Sequence, residues 1–452
     1  MMRVQEARTD MTFLGELLTN VADRGRALIG FERFIVQRNR PIDRLCEDLL
    51  SGRGEASGMA LAQGVLEAWE RLDREGRRAF FAMLQERFGP DHDRLDKAID
   101  AYRAEPGAAS ISALHLASEP RRQELLRRLN LAPDGTHVLV RMREALFEAM
   151  ESDRDLLAVD ADFRHLFGSW FNRGFLVLRR IDWRSPANVL EKIIRYEAVH
   201  EIQGWDDLRR RLEPGDRRCF AFFHPQLVDE PLIFVEVALT GAIPRSIGEV
   251  LSGEREVLPA ASATTAVFYS ISNCQEGLRG ISFGNFLIKQ VAEDLKRELP
   301  NLDTFVTLSP VPGFARWLEG IVTDPGDFAL TNEERSELGR PAGETISLDE
   351  PTRLRRDKLL GQMAAQYLLR ARTASGRVID PVARFHLGNG ARLERINVGG
   401  NLSARGLRES HGVMVNYRYD LDDIETNHEA FATRNTVVAS SGVRKLLRPA
   451  TA

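Results

Sequence analysis

Between Ser262 and Leu318 the chain runs through Ala266-Val267-Phe268-Tyr269-Ser270-Ile271-Ser272, then Arg279-Gly280-Ile281-Ser282-Phe283-Gly284-Asn285, then Phe286-Leu287-Ile288-Lys289-Gln290-Val291-Ala292-Glu293-Asp294-Leu295. It closes on Thr304-Phe305-Val306-Thr307-Leu308-Ser309-Pro310-Val311-Pro312-Gly313-Phe314. The first block is rich in β-formers and predicts a largely buried strand. In the third, Leu287, Val291, Leu295 and Leu299 recur at i, i+4, the spacing of a helix with one buried face. The last block resumes strand composition and ends at Ser309 in a turn of small residues. A glycine-containing loop feeding a helix N-terminus aims backbone N–H groups and a positive dipole end at whatever docks there, which suits a phosphate. The arrangement points to a phosphorylated cofactor or substrate.

Outward from this stretch, strands alternate with helices. Phe175-Leu176-Val177-Leu178 begins β-type sequence, and strands are expected over 219–223, 232–239, 265–272, 304–308 and 412–419, with a long helix over 353–374. Such alternation specifies an α/β or α+β catalytic domain. A polar stretch between Pro325 and Pro351 reads as a surface excursion. From Met11 to about Phe167 the pattern is almost wholly helical, with helices expected over 11–29, 41–51, 59–74, 77–88, 91–103, 111–117, 120–129 and 135–150. Gly52-Arg53-Gly54, Gly89-Pro90, Pro106-Gly107 and Ala132-Pro133-Asp134-Gly135 supply the breaks. The change near Gly174 divides the chain into a helical domain, 1–172, and a catalytic domain, 173–452. The helical part shows no chemistry of its own, so assembly or support is its expected role.

At 452 residues the chain is too long for one ordinary core, consistent with two domains. Apolar residues at 43% and charged ones at 28% exclude a disordered or membrane class. A net charge of −4 gives no global pull toward nucleic acid, and runs such as Arg209-Arg210-Arg211 and Arg353-Leu354-Arg355-Arg356 read as solvated helix faces. Cys46, Cys219 and Cys274 are far apart and fit no ligand spacing, which argues for free thiols in a reducing compartment. No run of 18 apolar residues predicts a membrane span. Glu6, Asp10 and Glu16 among the N-terminal arginines are unlike a transit peptide, and the last three residues are not Ser-Lys-Leu, so cytoplasm is expected. No His-Glu-x-x-His, Walker loop, biotinyl-lysine context or dinucleotide fingerprint occurs, so neither metal nor cofactor is expected.

Ser309 stands before two prolines that bracket Val311, and Pro310 biases it away from the α region. At the carboxyl end of a strand this projects a hydroxyl toward the crevice where open sheets bind ligands, although the local sequence alone is an ordinary Ser-Pro turn. His386, in Phe385-His386-Leu387-Gly388-Asn389-Gly390, has no partner at metal-ligand spacing and alone reads as a hydrogen-bonded histidine at a strand–loop junction. His411 reads as structural, and His224, in Phe223-His224-Pro225, as a further pocket candidate. On the late strand Tyr417 and Tyr419 share one face and Asn416 the other. These are core positions by default, with Asn416 and Tyr419 as candidate donors to a substrate carboxylate or thioester oxygen.

Arg279-Gly280-Ile281-Ser282-Phe283-Gly284 resembles the acyl-CoA pyrophosphate loop of the GNAT acetyltransferase superfold, Arg/Gln-x-x-Gly-x-Gly/Ala, with Ser282 in place of the first glycine. Ala238-Leu239-Thr240-Gly241, Phe268-Tyr269-Ser270-Ile271-Ser272, Leu308-Ser309-Pro310-Val311-Pro312-Gly313-Phe314, Phe385-His386-Leu387-Gly388-Asn389-Gly390-Ala391 and Val415-Asn416-Tyr417-Arg418-Tyr419 occur in that order. Together, from about Gly174 to Tyr419, they resemble the malonyl-CoA decarboxylase family. The resemblance implies an α+β fold: an all-helical bundle followed by an acetyltransferase-like (GNAT) α/β domain with a splayed mixed sheet. It also implies a homotetramer. Ser309 matches the family's catalytic serine, for which a proton-acceptor role is proposed, and His386 its catalytic histidine. Arg279, Gly280, Ile281, Ser282, Phe283, Gly284, Asn285 and Ile288 fall in the substrate-binding loop and the start of its helix, and a basic run would meet the 3′-phosphate of coenzyme A.

The implied reaction converts malonyl-CoA to acetyl-CoA and carbon dioxide without a cofactor. The electron pair left by the departing carboxylate flows into the thioester carbonyl, so the protein need supply only donors for the enolate oxygen and a proton for the α-carbon. An imidazole titrating near neutral pH suits donation, so His386 takes that role. No Gly-x-Ser-x-Gly elbow surrounds Ser309, which disfavours an acyl-serine. Two alternatives stand beside this reading: an acyl-CoA-dependent N-acetyltransferase on the same fold, and a non-catalytic acyl-CoA sensor.

Overall fold

Apolar periodicity in the first third of the chain forms the helices it predicts. The computed structural model describes residues 40–51, 55–281, 283, 287–324, 330–341 and 349–448, so the helix expected over 11–29 lies outside the described residues. Helices Ile42–Leu50, Glu55–Glu70, Arg74–Arg87, His92–Ala104, Ala108–Ser118, Arg121–Asn130 and Gly135–Met150 follow, with Asp73 and Asp91 accepting the third-position N–H groups of theirs. Phe81, Leu84, Phe88, Leu125, Leu129, Leu139, Leu146, Phe163 and Phe167 are buried among them. A further helix, Leu157–Trp170, escapes the sequence pattern because Asp160 and Asp162 sit on its buried side. They are paired with Arg143 (2.8 Å) and Arg122, so charge stands where an apolar stripe would be read.

Contacts divide the chain into two compact units: residues up to Trp170 together with Glu276–Ile281, and Phe171–Gln275 together with Ser282 onward. The six-residue excursion fits closely among the helices. Buried Arg143 donates from Nη1 to the carbonyls of Gly277 (2.7 Å) and Arg279 (2.9 Å), and a Cβ on Gly277 would collide with the Val140 carbonyl oxygen.

The second unit is built on β1 (Val177–Ile181), β2 (Arg217–Phe223), β3 (Pro231–Thr240), β4 (Thr265–Asn273), β5 (Thr304–Thr307), β6 (Ser309–Pro310), β7 (Arg392–Asn397) and β8 (Met414–Tyr419). The order is β1-β2-β3-β4-β5-β8-β6, with β7 also on β8. All pairs are antiparallel except β4 and β5, which run parallel from Thr265↔Thr304 to Phe268↔Thr307. β2 is buried throughout and β3 up to Leu239, and their apolar faces take Val189, Leu190, Ile193 and Leu208 from helices Ala187–Tyr196 and Trp205–Leu212. The result is the expected one, a helical region followed by an α/β domain with an open mixed sheet.

Several boundaries differ from the sequence reading. β7 was not foreseen: Arg392-Leu393-Glu394-Arg395-Ile396-Asn397 is polar and carries a register shift between Leu393 and Arg395, which hides the period of two. The long helix is Glu350–Leu369 and stops before 374, where the chain turns into the Arg372↔Val378 bridge. The polar excursion contains a helix, Asn332–Leu338, started by the reciprocal cap of Thr331 and Glu334; residues 325–329 and 342–348 lie outside the described residues. No described helix is long and apolar enough to cross a membrane.

Candidate active site

The parallel pair of β4 and β5 covers four residues, after which the two strands part. β4 continues to Asn273 bonded only to β3, with Tyr269 as the extra residue of a bulge. A bulge bends and twists its strand locally. The chain beyond β5 turns the other way: Leu308 N–H still reaches the Phe268 carbonyl (3.0 Å), but Ser309 pairs with Val415 of β8. Ser309 therefore sits where the sheet divides.

The ladder between β5 and β8 lapses at Thr307 and is mended by side chains. Thr307 Oγ1 accepts the Tyr417 backbone N–H (3.1 Å), and the Asn416 amide donates to the Thr307 carbonyl (2.8 Å). Asn416 Oδ1 in turn accepts from Asn397 (2.8 Å) and Arg395 (3.1 Å). Thr307 Oγ1 also accepts from Ser309 Oγ at 2.8 Å, which fixes the serine rotamer.

His386 comes from helix Pro381–Gly388, not from the strand–loop junction expected. Asp380 caps that helix, accepting the Ala383 N–H at 2.7 Å, and Pro381 fits its first position. The far end is fastened by the rest of the motif. His428 donates to the Gly388 carbonyl (2.7 Å), and Gly390 takes a left-handed φ of 83° where a Cβ would strike the Ile424 carbonyl. His386 Nε2 lies 3.0 Å from Ser309 Oγ and Nδ1 lies 2.8 Å from the Tyr419 hydroxyl. The Tyr417 ring stacks on the imidazole at 4.6 Å between centroids.

Burial decides the charge of this group. His386 is 3% exposed, and desolvation pushes its pKa down to about 3, so the ring is neutral near pH 7. This overturns the expectation of an imidazole titrating near neutrality. Burial also drives the Tyr417 and Tyr419 phenols far up, so both stay protonated. With the single Ser309 proton directed at Thr307, the network assigns the His386 proton to Nε2 and makes Nδ1 the acceptor of Tyr419 O–H.

Of the predicted residues, Ser309, His386 and Tyr419 are brought into one chain of hydrogen bonds. Asn416 is adjacent but spent on the strands. His224 is elsewhere: it follows β2, packs on Phe171 (4.9 Å) and Phe175, and accepts the Gln226 N–H. His411 caps helix Ala404–Ser410 in a left-handed conformation, in keeping with a structural role. In the loop, the Arg279 guanidinium pairs with Glu276 (2.6 Å) and lies over Phe147 (4.3 Å), while Gly280 has a φ of 78° with open space around it. Ile281, Phe283 and Ile288 are buried, and Ser282, Gly284 and Asn285 lie outside the described residues. Sequence reasoning missed Thr307 and took Tyr417 for core. The only available signal was the hydroxyl two residues before the serine, on the same face of the strand.

Two family profiles cover most of the chain. That of the malonyl-CoA decarboxylase C-terminal domain matches residues 174–452, and that of the N-terminal domain matches residues 88–171. The chain belongs to the malonyl-CoA decarboxylase family. The mitochondrial malonyl-CoA decarboxylase of Anser anser anser is 36% identical over 409 residues, 82% of this chain and 80% of the relative. That of Mus musculus is 33% identical over 442 residues, covering 90% and 86%. Among solved structures, malonyl-CoA decarboxylase from Rhodopseudomonas palustris is 57% identical with a TM-score of 0.84, covering 89% of this chain and 98% of that one. The Agrobacterium vitis malonyl-CoA decarboxylase is 59% identical with a TM-score of 0.86, covering 90% and 100%.

Proposed function

We propose that this chain decarboxylates malonyl-CoA to acetyl-CoA and carbon dioxide, with Ser309 and His386 as the catalytic pair. The observation that carries the assignment is the 3.0 Å contact between Ser309 Oγ and His386 Nε2 at the division of the sheet. Breaking the bond from the α-carbon to the β-carboxylate releases carbon dioxide and sends the electron pair into the thioester carbonyl. The Ser309 O–H, turned from Thr307 to the substrate, supplies the donor that the enolate oxygen needs. The α-carbon then takes the serine proton and His386 Nε2–H replaces it, while the Tyr419 O–H holds the ring by Nδ1. One proton from solvent closes the cycle. A ring with a pKa near 3 is a poor base for drawing a proton off Ser309, which argues against an acyl-serine intermediate.

The backbone of Arg279–Asn285 is the proposed pyrophosphate cradle, a reading supported by the left-handed Gly280 and by the helix Leu287–Glu298 that follows. Residues 1–172 are proposed to serve assembly as a homotetramer, supported by Ile111, Leu116 and Leu131, more than half exposed on the helical unit. Three free, buried cysteines support a reducing compartment, and cytoplasm is the proposed one. An N-acetyltransferase would need neither member of the pair, and a sensor would turn nothing over. Incubation with malonyl-CoA alone separates the three. Acetyl-CoA and carbon dioxide in equal amounts are expected; no acetyl-CoA in the absence of an amine acceptor refutes the assignment.

A further inference from the structure

We propose that Tyr367 and Asp380 are positioning residues that hold the serine turn and the His386 helix in register, a role that rests on the reading of Ser309 and His386 as the catalytic pair. Asp380 is fully buried at the start of the eight-residue helix Pro381–Gly388. Its Oδ1 caps that helix, and its Oδ2 accepts the Tyr367 hydroxyl at 3.3 Å. Tyr367, on helix Glu350–Leu369, lies against the other element. Its ring meets Phe314 (5.7 Å) and Trp317 (5.2 Å), which begin the helix fed by the Ser309–Gly313 turn. Gly313 leaves the room this needs, since a Cβ there would stand 2.5 Å from the Tyr367 hydroxyl.

One hydroxyl thus touches both the turn that carries Ser309 and the cap of the helix that carries His386. A helix cap alone asks only for a short polar side chain such as Asn or Ser, and a buried carboxylate costs more than either unless its second oxygen is also used. Here it is used, on Tyr367. The two catalytic residues come from separate parts of the chain, and their 3.0 Å contact depends on how these short elements meet.

A double-mutant cycle tests the link. Tyr367→Phe keeps the ring packing and removes the hydroxyl; Asp380→Ser keeps a cap acceptor and removes the second oxygen. Each is expected to lower kcat by about 10- to 100-fold, the scale of an ångström-sized misplacement, with KM for malonyl-CoA held and the protein still folded at the assay temperature. The double variant is expected to be no slower than the slower single one, because both remove the same link. Wild-type kcat in Tyr367→Phe overturns the proposal, as do additive losses or losses that follow the melting temperature. His386→Asn, run alongside, separates the two readings. If it too is fully active, the catalytic pair itself is wrong; if it is inactive while both positioning variants run at full rate, only this proposal falls.

Discussion

A neutral imidazole held between two hydroxyls can pass a proton along but cannot serve as a standing cation. Such a ring needs its tautomer fixed, and the Tyr419 hydroxyl at Nδ1 does that for His386. Removing the serine or the imidazole breaks the conduit, so Ser309→Ala and His386→Asn are each expected to cost roughly 10²–10⁴-fold in kcat. Removing the Tyr419 hydroxyl leaves the conduit but not its orientation, and one neutral hydrogen bond is worth about 0.5–1.5 kcal/mol, or roughly two- to tenfold in rate. Single-turnover decarboxylation by Tyr419→Phe as slow as that by His386→Asn would show that the phenol takes part in the chemistry rather than the alignment. Ser309 and His386 were legible because each sits in an ordered motif with prolines or glycines around it. Thr307 and Tyr417 were not, since a threonine or tyrosine on a buried strand has the composition of any core strand and its polar atom is invisible to the pattern.

The elements show the same division between what pattern reveals and what contacts add. β2, β3, β4 and β5 were readable because apolar β-formers fill them, and the helix Leu287–Glu298 because its stripe is clean. The two-residue β6, the polar β7 and helix Leu157–Trp170 depend on pairings with distant residues, and no local window contains those. The lapse between β5 and β8 is of this kind. Thr307 Oγ1 stands in for a missing ladder acceptor and holds the Ser309 rotamer at once. Thr307→Val preserves shape but strands the Tyr417 N–H, a buried donor whose loss of a partner costs about 1–3 kcal/mol. The expected result is a lower melting temperature together with a reduced kcat. Full activity in a destabilised Thr307→Val would mean that the serine rotamer is set elsewhere.

Over the whole molecule, exposed apolar side chains and buried ionisable ones each carry a consequence. A helical unit that leaves Ile111, Leu116 and Leu131 in water has surface for partner subunits to cover, and light scattering at micromolar concentration should find an assembly. A monomer there would remove the assembly role. The buried groups set the response to acid. Burial lowers His386 to about 3, and burial with nearby arginines lowers His200 and His411 to about 4, against an ordinary 6.5. Between about pH 4 and 6.5 the unfolded chain therefore takes up three protons that the native state refuses, and stability falls as the pH falls. Two carboxyls act with the opposite sign. Burial raises Asp380 to about 6, and burial with Glu197 raises Glu236 against the pull of the Arg211 guanidinium 3.1 Å away, so between about pH 4.5 and 6 the native state holds at most two protons that the unfolded chain releases. Three against at most two leaves a net uptake of protons on unfolding, and a melting temperature that declines from pH 6 toward pH 5. His411 lies outside the Ser309–His386–Tyr419 chain of hydrogen bonds, in a left-handed cap that asparagine also tolerates. His411→Asn removes one of the three and should flatten that decline whatever it does to the absolute stability. An unchanged slope in this variant would mean that His411 is not among the groups that titrate on unfolding, and the proton balance would have to be rebuilt without it.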